Sequence, residues 1–186
     1  MRRLIKSHGP CALEVNPRQP WEALVCAVAH QQLNGKAAVT IFKRFTDAAG
    51  FPVTPDGILK LSDAQLRAVG LSKQKSSYVR DLAEKTKAGL LDFSGLHEQT
   101  DDEVIQHLTQ VKGVGVWTAH MFLMFTLRRQ NILPTGDYGV QAAMMKHYRK
   151  RKLPKPKDME RIAKVWSPYR SIACWYLWRS LDIKTL

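Results

Sequence analysis

Cysteine is scarce in this sequence of 186 residues. The three cysteines, Cys11, Cys26 and Cys174, lie far apart, and no two of them have a Cys-x-x-Cys spacing. This argues against a zinc site, an iron–sulfur cluster or a disulfide framework. We therefore expect three reduced thiols packed in the interior.

Long apolar runs are also missing. Hydrophobic residues make up 45% of the chain, but no run approaches the roughly 18 residues that a membrane-spanning helix needs. The N-terminal sequence MRRLIKSHGP lacks the apolar core of a signal peptide. These absences predict a globular protein of the cytoplasm, or of the nucleus in a eukaryote, with no membrane partner.

Acidic residues are few in the last part of the chain. Residues 112–186 carry 15 Lys and Arg against 4 Asp and Glu, a net charge of +11, whereas residues 1–111 carry 14 against 12, a net of +2. A solvated basic face would explain this, but such an asymmetry more often marks a surface for a polyanion, most commonly nucleic acid. Charge alone does not separate DNA, RNA and a membrane surface.

No stretch of the sequence has the sustained alternation of a β-strand, whereas apolar residues recur at helical steps of three and four. Ser62 is followed three residues later by Gln65, and Thr100 by Glu103, which is the spacing of a capping box at a helix start. The sequence predicts an all-α fold. The predicted helical segments are 20–45 (interrupted by Asn-Gly at 34–35), 62–70, 72–89, 100–110, 116–127, 140–150, 158–166 and 168–181.

The most specific stretch is LTQVKGVGVWTA, residues 108–119. Two glycines separated by one residue, Gly113 and Gly115, predict a tight hairpin between the end of one helix and the start of a buried one. The amides that open the second helix would present a partial positive charge suited to a phosphate. An ordinary helix–turn–helix corner would also explain the two glycines.

A lone carboxylate, Asp137, lies in the otherwise uncharged stretch NILPTGDYGVQ, residues 131–141, although the sequence on both sides is basic. Its spacing alone predicts an N-cap for a helix that begins near Tyr138. Gly115 of the hairpin lies 22 residues upstream, and a role as an N-cap is compatible with a second role for this carboxylate.

These motifs resemble the helix-hairpin-helix DNA glycosylases, the HhH-GPD superfamily. Three further segments resemble the family in the same order: AHQQLNGKAA at 29–38, GLSKQKSSYVRDLA at 70–83 and SPYRSIACWYLW at 167–178. The resemblance covers roughly residues 20–180. GVGVWTA and PYRSIACWYLW look like the 3-methyladenine DNA glycosylase II (alkylbase glycosylase) branch, in a compact form without an N-terminal β-domain.

The resemblance implies a two-lobed helical bundle with the hairpin at the cleft between the lobes. The expected lobes are residues 35–130 and residues 1–34 plus 131–186. The implied function is a monofunctional glycosylase of base excision repair, which flips out N-alkylated purines such as 3-methyladenine and 7-methylguanine and hydrolyses the N-glycosidic bond. Its partner would be double-stranded DNA with alkylated bases, bound by a monomer in the bacterial nucleoid or the nucleus.

The resemblance also implies a role for individual residues. Asp137 would be the catalytic carboxylate, and Trp117 stands where lyase branches have their nucleophilic lysine, so no strand cleavage is expected. No cofactor is required, but the hairpin could hold a structural Na⁺ or K⁺. The remaining expected site residues are Trp117, Tyr138, Trp178 and Met121 for the base pocket; Lys112, Gly113, Val114, Gly115 and Thr118 for DNA binding; Gln32, Leu33 and Asn34 for the DNA wedge; and the carbonyls of Thr109, Val111 and Val114 for the cation.

Two other interpretations remain open at this stage, a non-catalytic helix-hairpin-helix DNA-binding protein and an RNA-binding helical protein. Both would keep the basic residues of the C-terminal part. Neither would need a carboxylate in a glycine-framed loop, nor the tryptophans at 117 and 178. Asp137 with Trp117 and Trp178 therefore favours the glycosylase.

Overall fold

The computed structural model describes residues 1–31 and 35–182. In that part of the chain the backbone forms eleven α-helices and one 3₁₀ turn, and no β-strand, which confirms the all-α prediction. The helices are α1 Arg2–His8, α2 Pro20–His30, α3 Gly35–Ala49, α4 Pro55–Lys60, α5 Asp63–Ala68, α6 Lys73–Lys87, α7 Asp101–Thr109, α8 Val116–Phe125, α9 Tyr138–His147, α10 Pro156–Ala163 and α11 Arg170–Arg179, with the 3₁₀ turn at Lys164–Trp166.

Capping side chains define several helix starts. Both predicted capping boxes are present, Ser62 with Gln65 at α5 and Thr100 with Glu103 at α7. Helix α4 was not among the predicted segments, although Thr54 accepts a hydrogen bond from the Gly57 amide at 3.1 Å and a proline follows it directly. A capping Thr before Pro is a start signal that the sequence did carry.

The chain divides into two compact units. The middle unit is Arg18–Ala119, and the terminal unit is Met1–Pro17 together with His120–Leu186. These boundaries differ from the expected ones at 34/35 and 130/131. Helix α2 packs on α3 and α6, which assigns it to the middle unit, and the second boundary falls within α8.

The middle unit is built around α6, which packs against α2, α4 and α5. Leu24 and Val28 of α2, Ile58 of α4 and Leu82 of α6 are all fully buried. Because α6 lies at the centre of this unit, its side chains also reach the hairpin that follows α7.

The terminal unit is organised by α11, which packs against α1 and α9. The Tyr176 hydroxyl donates a hydrogen bond to the Gly9 carbonyl at 2.8 Å and so ties the end of α1 to α11. The buried hydroxyl of Ser171 donates to the Arg129 carbonyl at 2.6 Å and accepts from the Ile132 amide at 3.0 Å. These bonds anchor the chain just before Asp137.

All three cysteines are free thiols, as expected. Cys26 and Cys174 are buried and Cys11 is half-buried. Among the helices of the described ranges, none has both the length and the apolar character needed to cross a membrane.

Candidate active site

Asp137 is the N-cap residue directly before α9, and its carboxylate is held by two hydrogen bonds. Its Oδ1 accepts a hydrogen bond from the Val140 amide at 2.8 Å, which confirms the predicted N-cap. The same oxygen accepts a second bond, also 2.8 Å, from the indole Nε1 of Trp178 in α11. The side chain is buried, with 9% of the residue exposed. The carboxylate therefore lies at the positive end of a helix dipole, with two donors fixing its orientation.

The loop before Asp137 is closed by its own hydrogen bonds. The Asp137 amide donates to the Pro134 carbonyl at 2.9 Å, and the Gln141 side chain reaches back from α9 to the Thr135 carbonyl at 2.8 Å. The Ser171 hydroxyl also holds the main chain at Arg129 and Ile132, before the loop. All these bonds leave the loop little freedom. A carboxylate on such a loop is preorganised, which is what electrostatic stabilisation of a transition state requires.

Trp178 supports Asp137 from α11. Its ring is 4% exposed and stacks on Phe125, with ring centroids 6.1 Å apart and planes at 27°. Because the indole has one donor, which it gives to Asp137, Trp178 positions the carboxylate in this structure. Direct stacking of Trp178 on a flipped base, the expectation from the sequence, stays a prediction.

Cys174 is the thiol beside this carboxylate. It is fully buried on α11, and burial raises the pKa of its thiol. The neighbouring negative charge of Asp137 raises this pKa further. Cys174 is therefore a neutral packing residue next to the site and not a nucleophile.

Removing the hydrogen bond from Trp178 to Asp137 is expected to slow base release. Trp178→Phe keeps an aromatic ring against Phe125 but removes the indole N–H that donates to Asp137 Oδ1. We expect single-turnover base release to fall by about tenfold, which corresponds to roughly 1.4 kcal/mol in the barrier, while duplex affinity stays at the wild-type level. The matched control is Trp175→Phe on the same helix, whose ring lies edge-on to Tyr176. Equal rates for the two variants would show that the Trp178 bond has no part in base release.

The other expected pocket residues differ in exposure. Tyr138, the first residue of α9, is 72% exposed, and Met121 is half-buried; both belong to the terminal unit with Asp137. Trp117 belongs to the middle unit and is 44% exposed. Each of these two aromatic side chains is accessible to solvent within its own unit.

The hairpin after α7 is a turn that only glycine fits at one position. Gly113 has φ of +79°, in the left-handed region. A Cβ added there would overlap the ring of Tyr78 from α6 at its Cδ2 and Cε2 atoms. Gly115 has neither a positive φ nor any atom within 4 Å of such a Cβ. Gly113 therefore makes the turn, whereas the open space at Gly115 suits the close approach of another molecule.

Two side chains hold the hairpin backbone within the middle unit. The Asp81 carboxylate accepts a hydrogen bond from the Lys112 amide at 2.8 Å and forms ion pairs with Lys85 at 2.6 Å and with Lys112 Nζ at 3.5 Å. The Gln31 amide donates to the Gly113 carbonyl at 2.9 Å. Of the expected DNA-binding residues, Lys112 has an exposed side chain and Thr118 is buried.

Asp81 stays charged despite its burial. Burial by itself would raise the pKa of this carboxyl, but the hydrogen bonds from Lys85 and from the Lys112 amide, with the charges of both lysines, hold the pKa below its usual value. A depressed pKa means that this support of the hairpin is present at neutral pH and is lost as the pH falls through the folded-state pKa.

The expected wedge residues, Gln32, Leu33 and Asn34, lie outside the described residues. The residue just before them, Gln31, was not among the expected site residues, and neither were Tyr78 and Asp81. The sequence did hold one signal for Asp81, an acid between Val79 and Leu82 on the buried face of α6. No sequence signal points to Gln31, because its partner Gly113 is 82 positions away.

The main-chain carbonyls of the hairpin are its candidate ligands for a cation. In the described ranges, no three His, Cys, Asp or Glu side chains come together to hold a metal ion. The Val111 carbonyl accepts one hydrogen bond, from the Val114 amide at 3.0 Å, and a carbonyl oxygen has a second lone pair to offer. The carbonyls expected to bind a monovalent cation, at Thr109, Val111 and Val114, belong to this turn.

The sequence of this chain is similar to those of known proteins. The model of the HhH-GPD superfamily base excision DNA repair protein matches residues 25–168. The chain is 35% identical over 185 residues to DNA-3-methyladenine glycosylase 1 of Schizosaccharomyces pombe, covering 96% of this chain and 81% of the relative.

Solved structures of similar proteins have the same fold. The 3-methyladenine DNA glycosylase of S. pombe in complex with abasic DNA superposes with a TM-score of 0.84 at 33% identity, covering 100% of this chain and 93% of that one. A DNA-3-methyladenine glycosidase from Bacillus halodurans superposes with a TM-score of 0.85 at 36% identity, covering 96% and 82%.

Proposed function

Because this chain belongs to the HhH-GPD superfamily of base excision DNA repair proteins, we propose that it is a DNA glycosylase that removes N-alkylated purines from duplex DNA. The preferred substrates are of the 3-methyladenine and 7-methylguanine type, and the product is an abasic site. The observation that carries this proposal is Asp137, a buried carboxylate whose Oδ1 is fixed by the Val140 amide and the Trp178 indole. A DNA-binding module without catalysis would use this carboxylate only as a helix cap.

The reaction breaks the bond between C1′ of the deoxyribose and the base nitrogen. Both bonding electrons leave with the base, so a cationic N-alkylated purine departs as a neutral molecule and positive charge develops on the sugar. The Asp137 carboxylate stabilises that charge, and a water molecule adds to C1′ and gives up one proton. Asp137 orients this water, acts only through its charge, or does both.

The substrate has to be flipped out of the helix, at a cost of a few kcal/mol. Exposed aromatic rings such as Tyr138 and Trp117 repay part of this cost, because each contact with a cationic base contributes about 0.5–2 kcal/mol. The same preference for positive charge selects N-alkylated over normal purines. Gln32, Leu33 and Asn34 are proposed to fill the gap that the flipped base leaves.

The hairpin is proposed to bind a phosphate of the DNA through Lys112, the Gly113–Gly115 backbone and the start of α8. A Na⁺ or K⁺ held by the carbonyls of Thr109, Val111 and Val114 would add a positive charge beside that phosphate. Such an ion supports binding and takes no part in bond cleavage. The enzyme is proposed to act as a monomer wherever the DNA lies, in the nucleoid or the nucleus.

We further propose that the enzyme is monofunctional, of the alkylbase type II branch, and has no lyase activity. Trp117 stands at the position where a lyase needs an amine to attack C1′, and an indole cannot form a Schiff base. After reaction with an alkylated duplex we expect an abasic strand that remains intact and breaks only under alkali or heat. Denaturing gels with and without alkali measure this.

Borohydride supplies the control for this expectation. A lyase forms an imine that borohydride reduces to a covalent protein–DNA adduct, and a known bifunctional glycosylase in parallel shows that the trap works. A trapped adduct with this protein, or strand breaks before alkali, would place it in a lyase branch. Release of no base at all, with duplex binding intact, would favour the non-catalytic DNA-binding alternative.

A further inference from the structure

The chain from the end of α9 to the first turn of α10 is rich in basic residues. Residues 149–157, here called the basic segment, have the sequence RKRKLPKPK, with six positive charges and no negative one. Five of the six cationic side chains are exposed, and that of Lys150 is half-buried. The activity proposed above uses none of them.

Within the described residues, these charges have no acidic partner. In residues 1–31 and 35–182, no carboxylate forms an ion pair with a side chain of the basic segment; the acid that follows it, Asp158, pairs with Arg161 at 2.5 Å. Surface cations of the middle unit are arranged differently, since Lys43 pairs with Asp47 and Lys87 with Asp56. Six neighbouring cations with no acidic partner in the described part of the chain repel one another and attract a polyanion.

Two of these lysines also occupy unfavourable helix positions. Lys155 is the N-cap residue directly before α10, and its side chain makes no capping hydrogen bond. Lys157 lies in the first turn of the helix. The dipole of a helix favours acids at this end and disfavours cations. Asp158 in the same turn offsets only part of this effect, so the placement of two lysines here favours a binding role over a role in helix stability.

The segment is a fixed surface and not a loose tail. Its first part is joined to α9 by the Lys150 amide, which donates to the Met145 carbonyl at 2.9 Å. Pro154 in its middle is buried, and its end enters α10 through the bond from the Met159 amide to the Lys155 carbonyl at 3.0 Å. The positive charges are therefore presented in a set arrangement.

We propose that the basic segment is a second contact surface for DNA backbone phosphates, separate from the hairpin. This inference rests on the proposed function. Asp137 begins α9 and the segment follows the end of the same helix, whose ten residues span about 15 Å. With one base pair per roughly 3.4 Å, this reach corresponds to about four base pairs from the flipped nucleotide. The segment thus binds the flanking duplex and not the lesion.

The test is a variant with four of these charges removed, Arg151→Gln, Lys152→Gln, Lys155→Gln and Lys157→Gln. Arg149 is kept because its φ of +52° makes substitution there a separate perturbation. The Kd for an undamaged duplex of about three helical turns is measured against salt concentration. Each lost phosphate contact lowers the slope of log K against log salt by about 0.9, so we expect a slope smaller by about 2 or more.

A matched control removes four exposed cations from the middle unit, Lys43→Gln, Arg44→Gln, Lys60→Gln and Lys87→Gln. It has the same net charge as the segment variant, and its salt slope should stay at the wild-type value. Equal losses in both variants would mean that only total charge matters, which overturns the proposal. An unchanged salt slope in the segment variant would also overturn the proposal. It would do so even if the variant lost binding to single-stranded RNA or to phosphatidylserine vesicles, because the segment would then bind a different polyanion.

Kinetics separate this inference from the proposed function. Under single turnover, the segment variant should need more enzyme for half-maximal base release, by tenfold or more in the same salt, while the limiting rate remains that of the wild type. On a duplex with only about three base pairs on each side of the lesion, the difference should vanish. No base release by the wild type would refute the glycosylase and leave the salt-slope result as the sole test of the surface.

Discussion

Asp137→Asn is expected to release alkylated bases at least about 100-fold more slowly than the wild type, which is about 2.7 kcal/mol or more in the barrier. The side-chain oxygen of Asn can still accept both bonds that Oδ1 now receives, from the Val140 amide and the Trp178 indole. Asn also caps a helix about as well as Asp. What is lost is the negative charge that faces the developing sugar cation. Single-turnover base release measures this loss of rate. The release of 3-methyladenine should slow less than that of 7-methylguanine, because 3-methyladenine departs more readily.

Stability and binding complete the comparison. The melting temperature of Asp137→Asn should be close to that of the wild type, and its duplex affinity equal or tighter, because one negative charge near phosphates is gone. Asp137→Ala is the contrasting variant, since it also removes the cap and leaves the buried indole of Trp178 unsatisfied, at a cost of about 2 kcal/mol or more in unfolding free energy. Base release at the wild-type rate by Asp137→Asn would reduce Asp137 to a helix cap.

Gly113→Ala is expected to lower the free energy of unfolding by about 3 kcal/mol and the melting temperature by roughly 6–12 °C. The left-handed backbone at φ +79° disfavours alanine, and the added methyl group would overlap the ring of Tyr78. Either the ring or the turn must move, so duplex binding by the folded variant should weaken as well. Thermal unfolding and a binding titration below the transition measure the two effects.

Gly115→Ala is the matched control for this change. It lies two residues away in the same turn, has no positive φ, and its new methyl group meets no atom within 4 Å. Its unfolding free energy should stay within about 0.5 kcal/mol of the wild-type value. A loss of duplex affinity in Gly115→Ala without loss of stability would mark the position where DNA approaches the backbone. Equal destabilisation by both substitutions would contradict the geometry of the hairpin.

Features with short-range causes could be predicted from the sequence. The capping boxes at Ser62 and Thr100 and the cap at Asp137 each involve partners three residues apart, and all three are present. Helical periodicity likewise predicted an all-α fold, although α1 and α4 were missed. Both are short, with seven and six residues, and so contain too few turns for a periodic signal to develop.

Long-range hydrogen bonds could not be predicted in this way. The hydrogen bond from the Trp178 indole to Asp137, 41 positions earlier, was not predicted. Asp81 supports the Lys112 amide from 31 positions away. Tryptophan can stack, fill a core or donate one hydrogen bond, and the sequence does not tell which of these it does. Such pairings depend on how helices pack, which no local pattern encodes.

The most direct test of the account is the release of free base from duplex DNA treated with a methylating agent. The wild-type protein should liberate 3-methyladenine and 7-methylguanine, identified by chromatography, with one alkali-labile abasic site formed for each base released. Asp137→Asn, at equal concentration and equal duplex binding, should release them at least about 100-fold more slowly. Tight duplex binding by the wild type with no release of any methylated base would contradict the account.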